Sequence, residues 1–103
     1  MDLDLTTINR YPIIKTMSID SVLSRIRLPP RAKKITIGTQ AGALWVTNDG
    51  AAVEGQAPPA HKCFIPNFGY FQMILGRGSD KTNDIYVSLQ TGTGDIHIVL
   101  EDE

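Results

Sequence analysis

Ile85-Tyr-Val-Ser-Leu-Gln-Thr-Gly-Thr-Gly-Asp-Ile-His-Ile-Val-Leu100 decides the fold. Ile85, Val87 and Leu89 alternate with Tyr86, Ser88 and Gln90. Ile96, Ile98 and Leu100 alternate with His97 and Val99. Successive side chains leave a strand on opposite faces, so this alternation reads as two half-buried strands. Thr91-Gly-Thr-Gly-Asp95 between them is built from turn residues, and the segment is predicted to be a hairpin.

The same rhythm extends towards the N-terminus. Val22, Ser24, Ile26 and Leu28 alternate with Leu23, Arg25 and Arg27 until Pro29-Pro30, which lack the N–H groups a ladder needs. Ile35 and Ile37 alternate with Lys34 and Thr36, and Gly38 is expected to close that strand. Ala43–Thr47, His61–Ile65 and Tyr70–Leu75 are further short strands, punctuated by Asn48-Asp-Gly50, Pro66-Asn67 and Gly76–Asp80. Ile13, Ile14, Met17 and Ile19 form a first, irregular strand, with Pro12 marking an edge or entry position. A short helix or turn competes with strand only near Ser18–Leu23. Residues 50–60 have no usable period and read as the longest loop, a feature that often has a binding role.

About eight short strands with closely spaced turns predict an all-β protein, an antiparallel, jelly-roll-like β-sandwich. Residues 1–20 are expected to form an extended N-terminal arm and first strand, and residues 21–103 the sandwich domain. The predicted core is Ile26, Leu28, Ile35, Ile37, Leu44, Val46, Ile65, Ile74, Ile85, Val87, Leu89, Ile96, Ile98 and Leu100. Each contributes roughly 1.5–3 kcal/mol when fully buried.

Composition bounds the rest. The chain has 103 residues, 42% hydrophobic and 20% charged, which suits one globular domain and argues against disorder. No apolar run approaches the ~20 residues of a membrane-spanning helix. The acidic start, Met1-Asp-Leu-Asp-Leu5, lacks the basic and apolar stretches of a secretory signal, so synthesis and assembly in a cytoplasm are expected. Cys63 is the one cysteine and has no internal disulfide partner. Residues 1–34 carry seven basic and three acidic side chains, a net +4. Residues 35–103 carry three basic and eight acidic ones, a net −5. Such a split steers docking against charged surfaces.

The search for chemistry yields no catalytic, cofactor-binding or metal site. His61 and Cys63 share a strand face, but a free cysteine usually packs as a small apolar residue. His97 would complete a soft metal site only if its strand adjoined theirs, and zinc ligands usually come at tighter spacing. Asp49, Glu54, Asp80, Asp84 and Asp95 are all assigned to turns, where aspartate bonds its own backbone. The glycine-rich segments lack the lysine and the strand-to-helix setting of a phosphate loop. Arg25, Arg27, Arg31, Lys33 and Lys34 suggest a basic strip. Without interleaved aromatics for base stacking, nucleic-acid binding is not expected. Trp45, Tyr70 and Tyr86 are candidate contact aromatics. Tyr70–Leu75 is apolar on both faces, as in a strand covered on both sides.

Leu28-Pro-Pro-Arg-Ala-Lys-Lys-Ile-Thr-Ile37, Ala43-Leu-Trp-Val-Thr-Asn-Asp-Gly50, Pro58-Pro-Ala60 and the two terminal strands together resemble a known group. These are the small β-sandwich accessory proteins of tailed-phage virions, the capsid cement or decoration proteins and the neck or tail adaptors. The resemblance covers about residues 25–100 and rests on the rhythm of strands and turns. It implies a structural protein of the virion that binds the major capsid protein or another virion protein, as a dimer or trimer, with no small-molecule substrate and no membrane. Leu3, Leu5 and Ile8 of the arm, Arg25, Arg27 and Arg31 of the basic face, Trp45, and Phe71 are the candidate partner-binding residues. A carbohydrate- or receptor-binding module is the alternative.

Overall fold

The computed structural model describes residues 2–8, 10–75 and 83–102. The turn assigned to Gly76–Asp80 lies outside them. Nine strands occur among these residues: β1 (Asp2–Asp4), β2 (Ile13–Ile19), β3 (Ser24–Leu28), β4 (Lys34–Thr39), β5 (Leu44–Thr47), β6 (Cys63–Ile65), β7 (Tyr70–Ile74), β8 (Asn83–Leu89) and β9 (Gly94–Glu101). The last eight are the eight strands expected from the alternation. The segment after Ile19 is a bend and not a helix.

The strands form two sheets, ordered β1-β3-β8-β5-β6 and β2-β9-β4-β7. Four antiparallel pairs are nested: β5 with β6, β4 with β7, β3 with β8, and β2 with β9. The chain is therefore one long hairpin with its tip at β5 and β6, rolled so that β5 also meets β8 and β4 meets β9. This winding is a jelly roll. Only β1 departs from it, pairing parallel to β3.

The roll corrects the predicted terminal hairpin. β8 and β9 lie in different sheets, so the Gln90–Thr93 turn crosses from one layer to the other. Period two reports which face of a strand is buried; it does not report which strand lies alongside.

The core fills the space between the sheets. Ile26, Leu28, Leu44, Ile85, Val87 and Leu89 enter from one side, and Ile35, Ile37, Ile96, Ile98 and Leu100 from the other, all at most 2% exposed. Ile74 does not join them. It is 82% exposed because Phe71 and Met73 are the β7 residues packed against the core, which turns Ile74 outward. With both faces of β7 apolar, parity alone left that choice open. Other buried residues had no place in the predicted core, among them Ile13 and Ile19 of β2, Leu75 after β7, and three more. Leu5 and Leu23 sit in irregular segments beside strands, and Met17 lies on the irregular β2.

The N-terminal segment is part of the body. Asp2–Asp4 extends the five-stranded sheet, and the Leu5 N–H donates to the Arg27 carbonyl at 3.0 Å. Leu5 is buried, while Leu3 and Ile8 pack half-buried against the core. The apolar side chains expected to meet a partner are spent on the chain's own interior.

Candidate functional site

Three surfaces carry polar or aromatic groups that the core does not use: the opening between β6 and β7, the outer face of the five-stranded sheet, and the outer face of the four-stranded sheet.

The first is a cavity of about 280 Å³ where the two sheets part along their edges. It is lined by Val46, Thr47, Asn48, His61, Lys62, Cys63, Phe71, Met73 and Ile85. The alternation did place His61 and Cys63 on one side, and both border this opening. His61 precedes β6, and its Nδ1 lies 3.2 Å from Asp49 Oδ2. The Ala51 N–H and, to a lesser degree, His61 hold the Asp49 carboxyl below its ordinary pKa. Phe71 faces inward here, half-buried, and not toward an outside partner. His97 is on β9, in the other sheet, paired with Thr16 and not with His61 or Cys63. Among the described residues no three metal-ligating side chains converge.

The second surface is largely closed by the chain itself. Register puts Leu23, Ser88, Trp45 and Phe64 side by side across its upper end. The loop after β5 reaches back over β8 to latch there. The Leu23 N–H donates to the Gln56 carbonyl and the Gly55 N–H to the Leu23 carbonyl, both at 2.8 Å. Thr47 Oγ1 donates to the His61 carbonyl at 2.7 Å, and Asp49 Oδ1 accepts from the Ala51 N–H. Beneath this strap Leu23 and Ser88 have no exposure at all. The long loop expected to be a contact surface is a cover.

Trp45 is half-buried beside the strap. Its ring meets Phe64 edge-on at 5.3 Å between centroids, and Lys62 Nζ lies 4.8 Å from its centre. The lower end of this face is charged. Arg25 donates two hydrogen bonds to the Asp2 carboxylate, and Arg27 lies 3.5 Å from the same group. That hydrogen bonding holds Asp2 below its ordinary pKa. Arg31 approaches Asp102, while Lys34 and Glu101 approach each other across β4 and β9, on the outer face of the other sheet beside Ile74. The basic strip is thus interleaved with acids of the same chain. Asp84 and Asp95, assigned to turns, lie within β8 and β9, and Asp80 is outside the described residues.

The third surface has no strap and carries the Lys34–Glu101 pair at one end, beside Ile74. Its outer rows are Ile14, Val99, Thr36 and Gln72, then Thr16, His97, Gly38 and Tyr70. Of the six large apolar side chains left exposed among the described residues, Ile14, Tyr70 and Ile74 lie on this face and Phe68 borders it. Gly38 is not the end of its strand, as β4 continues through Thr39. Above it opens a second cavity of about 220 Å³, lined by Gly38, Thr39, Gln40, Phe68, Gly69, Tyr70 and His97. Two of these residues, Phe68 and His97, carried no weight as aromatic contacts in the sequence. The available signal was a glycine inside a period-two strand, which often marks close approach of a ligand or another backbone.

No protein-family model matches this chain, and no curated protein or solved structure matches it either.

Proposed function

We propose that this chain is a non-enzymatic structural protein of a tailed-phage virion, a capsid cement or decoration protein assembled in the host cytoplasm. It binds the lattice of the major capsid protein and does so as a dimer or trimer. What carries the reading is the unequal treatment of the two outer faces. One is strapped by its own chain, while the other has no strap and offers Ile14, Tyr70 and Ile74 to solvent. Large apolar groups gathered on one exposed face of a small domain mark an interaction surface.

The jelly roll supports the reading by analogy, since viral capsid domains use it, as do lectins. A neck or tail adaptor would dock through the same face and differ in copy number. Quantitative mass spectrometry of purified virions tests the proposal. Copies in proportion to the major capsid protein are expected; a few copies per particle would favour the adaptor, and absence would overturn both. Light scattering on the isolated protein should give a dimer or trimer, and a strict monomer counts against lattice cementing.

A further inference from the structure

Two strand glycines differ in a telling way. A side chain at Gly94, the first residue of β9, would run into the Cβ of Ala41, so glycine there is a packing requirement. Gly38 has no such reason. It lies inside β4, with regular pairing to β7 and β9 on either side and no bulge. A Cβ built on it meets nothing within 4 Å, and its φ is not positive. Strand interiors favour β-branched residues, and glycine weakens them. Neither the backbone nor the packing of this chain requires glycine at position 38.

The second departure stands at the other side of the same cavity. Pro66-Asn-Phe-Gly69 is a tight turn closed by the Gly69 N–H to the Pro66 carbonyl at 2.9 Å. Its third residue, Phe68, has φ 64°. Glycine or asparagine suits that conformation, and a bulky side chain in it is an outlier. Phe68 is nonetheless there, held by N–H donation to the Thr39 carbonyl at 3.0 Å, with its side chain left 77% exposed. A glycine where stability favours a side chain thus shares one cavity with an aromatic where stability favours glycine. Local rules broken together at one place are expected where a binding site is built.

We infer that this cavity is a binding slot for a neutral pyranose sugar, with Gly38 as its floor, Tyr70 and His97 as its walls and Phe68 at its end. Tyr70, Gly38 and His97 share one row across β7, β4 and β9. Two strand spacings put the walls about 9–10 Å apart, which admits one ring in contact with both. A cavity of 220 Å³ is smaller than the roughly 300–1,000 Å³ of drug-sized pockets and suits a single ring. Its lining has aromatic surface for the apolar face of a sugar and amide, hydroxyl and imidazole groups for its hydroxyls. Among the described residues its lining has no carboxylate, lysine or arginine, which disfavours a charged ligand. Thr16 Oγ1 lies 3.4 Å from His97 Nδ1, which leaves Nε2 for a ligand hydroxyl. The slot goes beyond lattice binding and does not depend on it.

Titration of the whole protein with methyl glucoside, galactoside and mannoside, followed by amide NMR, tests this. Saturable shifts at Gly38, Phe68, Tyr70 and His97 with at least one of the three are expected. Gly38→Val fills the floor without meeting a neighbour, so its melting temperature should hold while the dissociation constant rises at least tenfold. Tyr70→Ala should do likewise. Shifts for none of the three glycosides would overturn the inference, and so would unchanged affinity in a folded Gly38→Val protein. The virion reading stands or falls separately, on particle composition.

Discussion

The outer faces of the two sheets are made from similar strands and end in opposite conditions. On the five-stranded sheet, the strap from β5 seals Leu23 and Ser88, and Asp2 is paired with Arg25 and Arg27. On the four-stranded sheet, nothing in the described chain lies over Ile14, Tyr70 or Ile74. Which face the chain leaves open is informative about where another molecule sits.

Substitutions rank the layers by how much each matters to folding. The shared core comes first. Ile98→Lys puts a charge where exposure is zero and no partner exists, and should abolish folding. A soluble, cooperatively melting Ile98→Lys protein would mean the core is wrongly placed. The strapped face comes next. Leu23→Ala leaves a hole beneath the strap and should cost about 2–5 kcal/mol by chemical denaturation. A change near zero would show that the strap is decoration.

Acid tests the same face more gently. Asp2 and Asp49 both have folded-state pKa values below the ordinary 3.8. A depressed carboxylate contributes stability that is fully present above its unfolded pKa and is lost as pH falls through its folded one. The loss should therefore begin below about pH 4, and Trp45 fluorescence beside the strap should report it. Asp2→Asn and Asp49→Asn should each flatten that acid limb by lowering neutral-pH stability toward the value the parent reaches in acid. The unstrapped face should show the smallest effect. Ile14→Lys and Ile74→Lys place charge on exposed positions and should stay within about 0.5 kcal/mol of the parent. Under the proposed function they should nevertheless weaken binding to the capsid lattice in a co-sedimentation assay. Unimpaired sedimentation of the double variant would remove this face from the proposal.

The strands were legible because alternation is a local property. Val87, Ile96 and Ile98 announce a buried face whatever lies beside them. Partnership between strands is not local, and so a glycine-rich turn between two good strands imitated a hairpin. Ile74 was unreadable for a different reason, since β7 is apolar at every position but Gln72. Leu5 could have been found, because Leu3 and Leu5 alternate with Asp2 and Asp4, a short period-two signal at the start of the chain. The slot around Gly38 was half legible. Its glycine was visible in the sequence, but the positive φ of Phe68 and the alignment of Tyr70 with His97 exist only in three dimensions.

The nested pairing also sets an order of events in time. Cys63 pairs with Val46 across one connection, whereas Ile13 must find Leu100 at the far end of the chain. Closing a short loop costs less entropy than closing a long one, and folds dominated by distant pairings assemble in milliseconds to seconds. Zipping from the tip outward makes the strap an early structure. Thr47→Val, which removes the hydroxyl that ties the strap to His61, should slow refolding in stopped-flow more than it speeds unfolding; the reverse would put the nucleus elsewhere. The loop that first looked like a site for a partner would then be where the molecule begins.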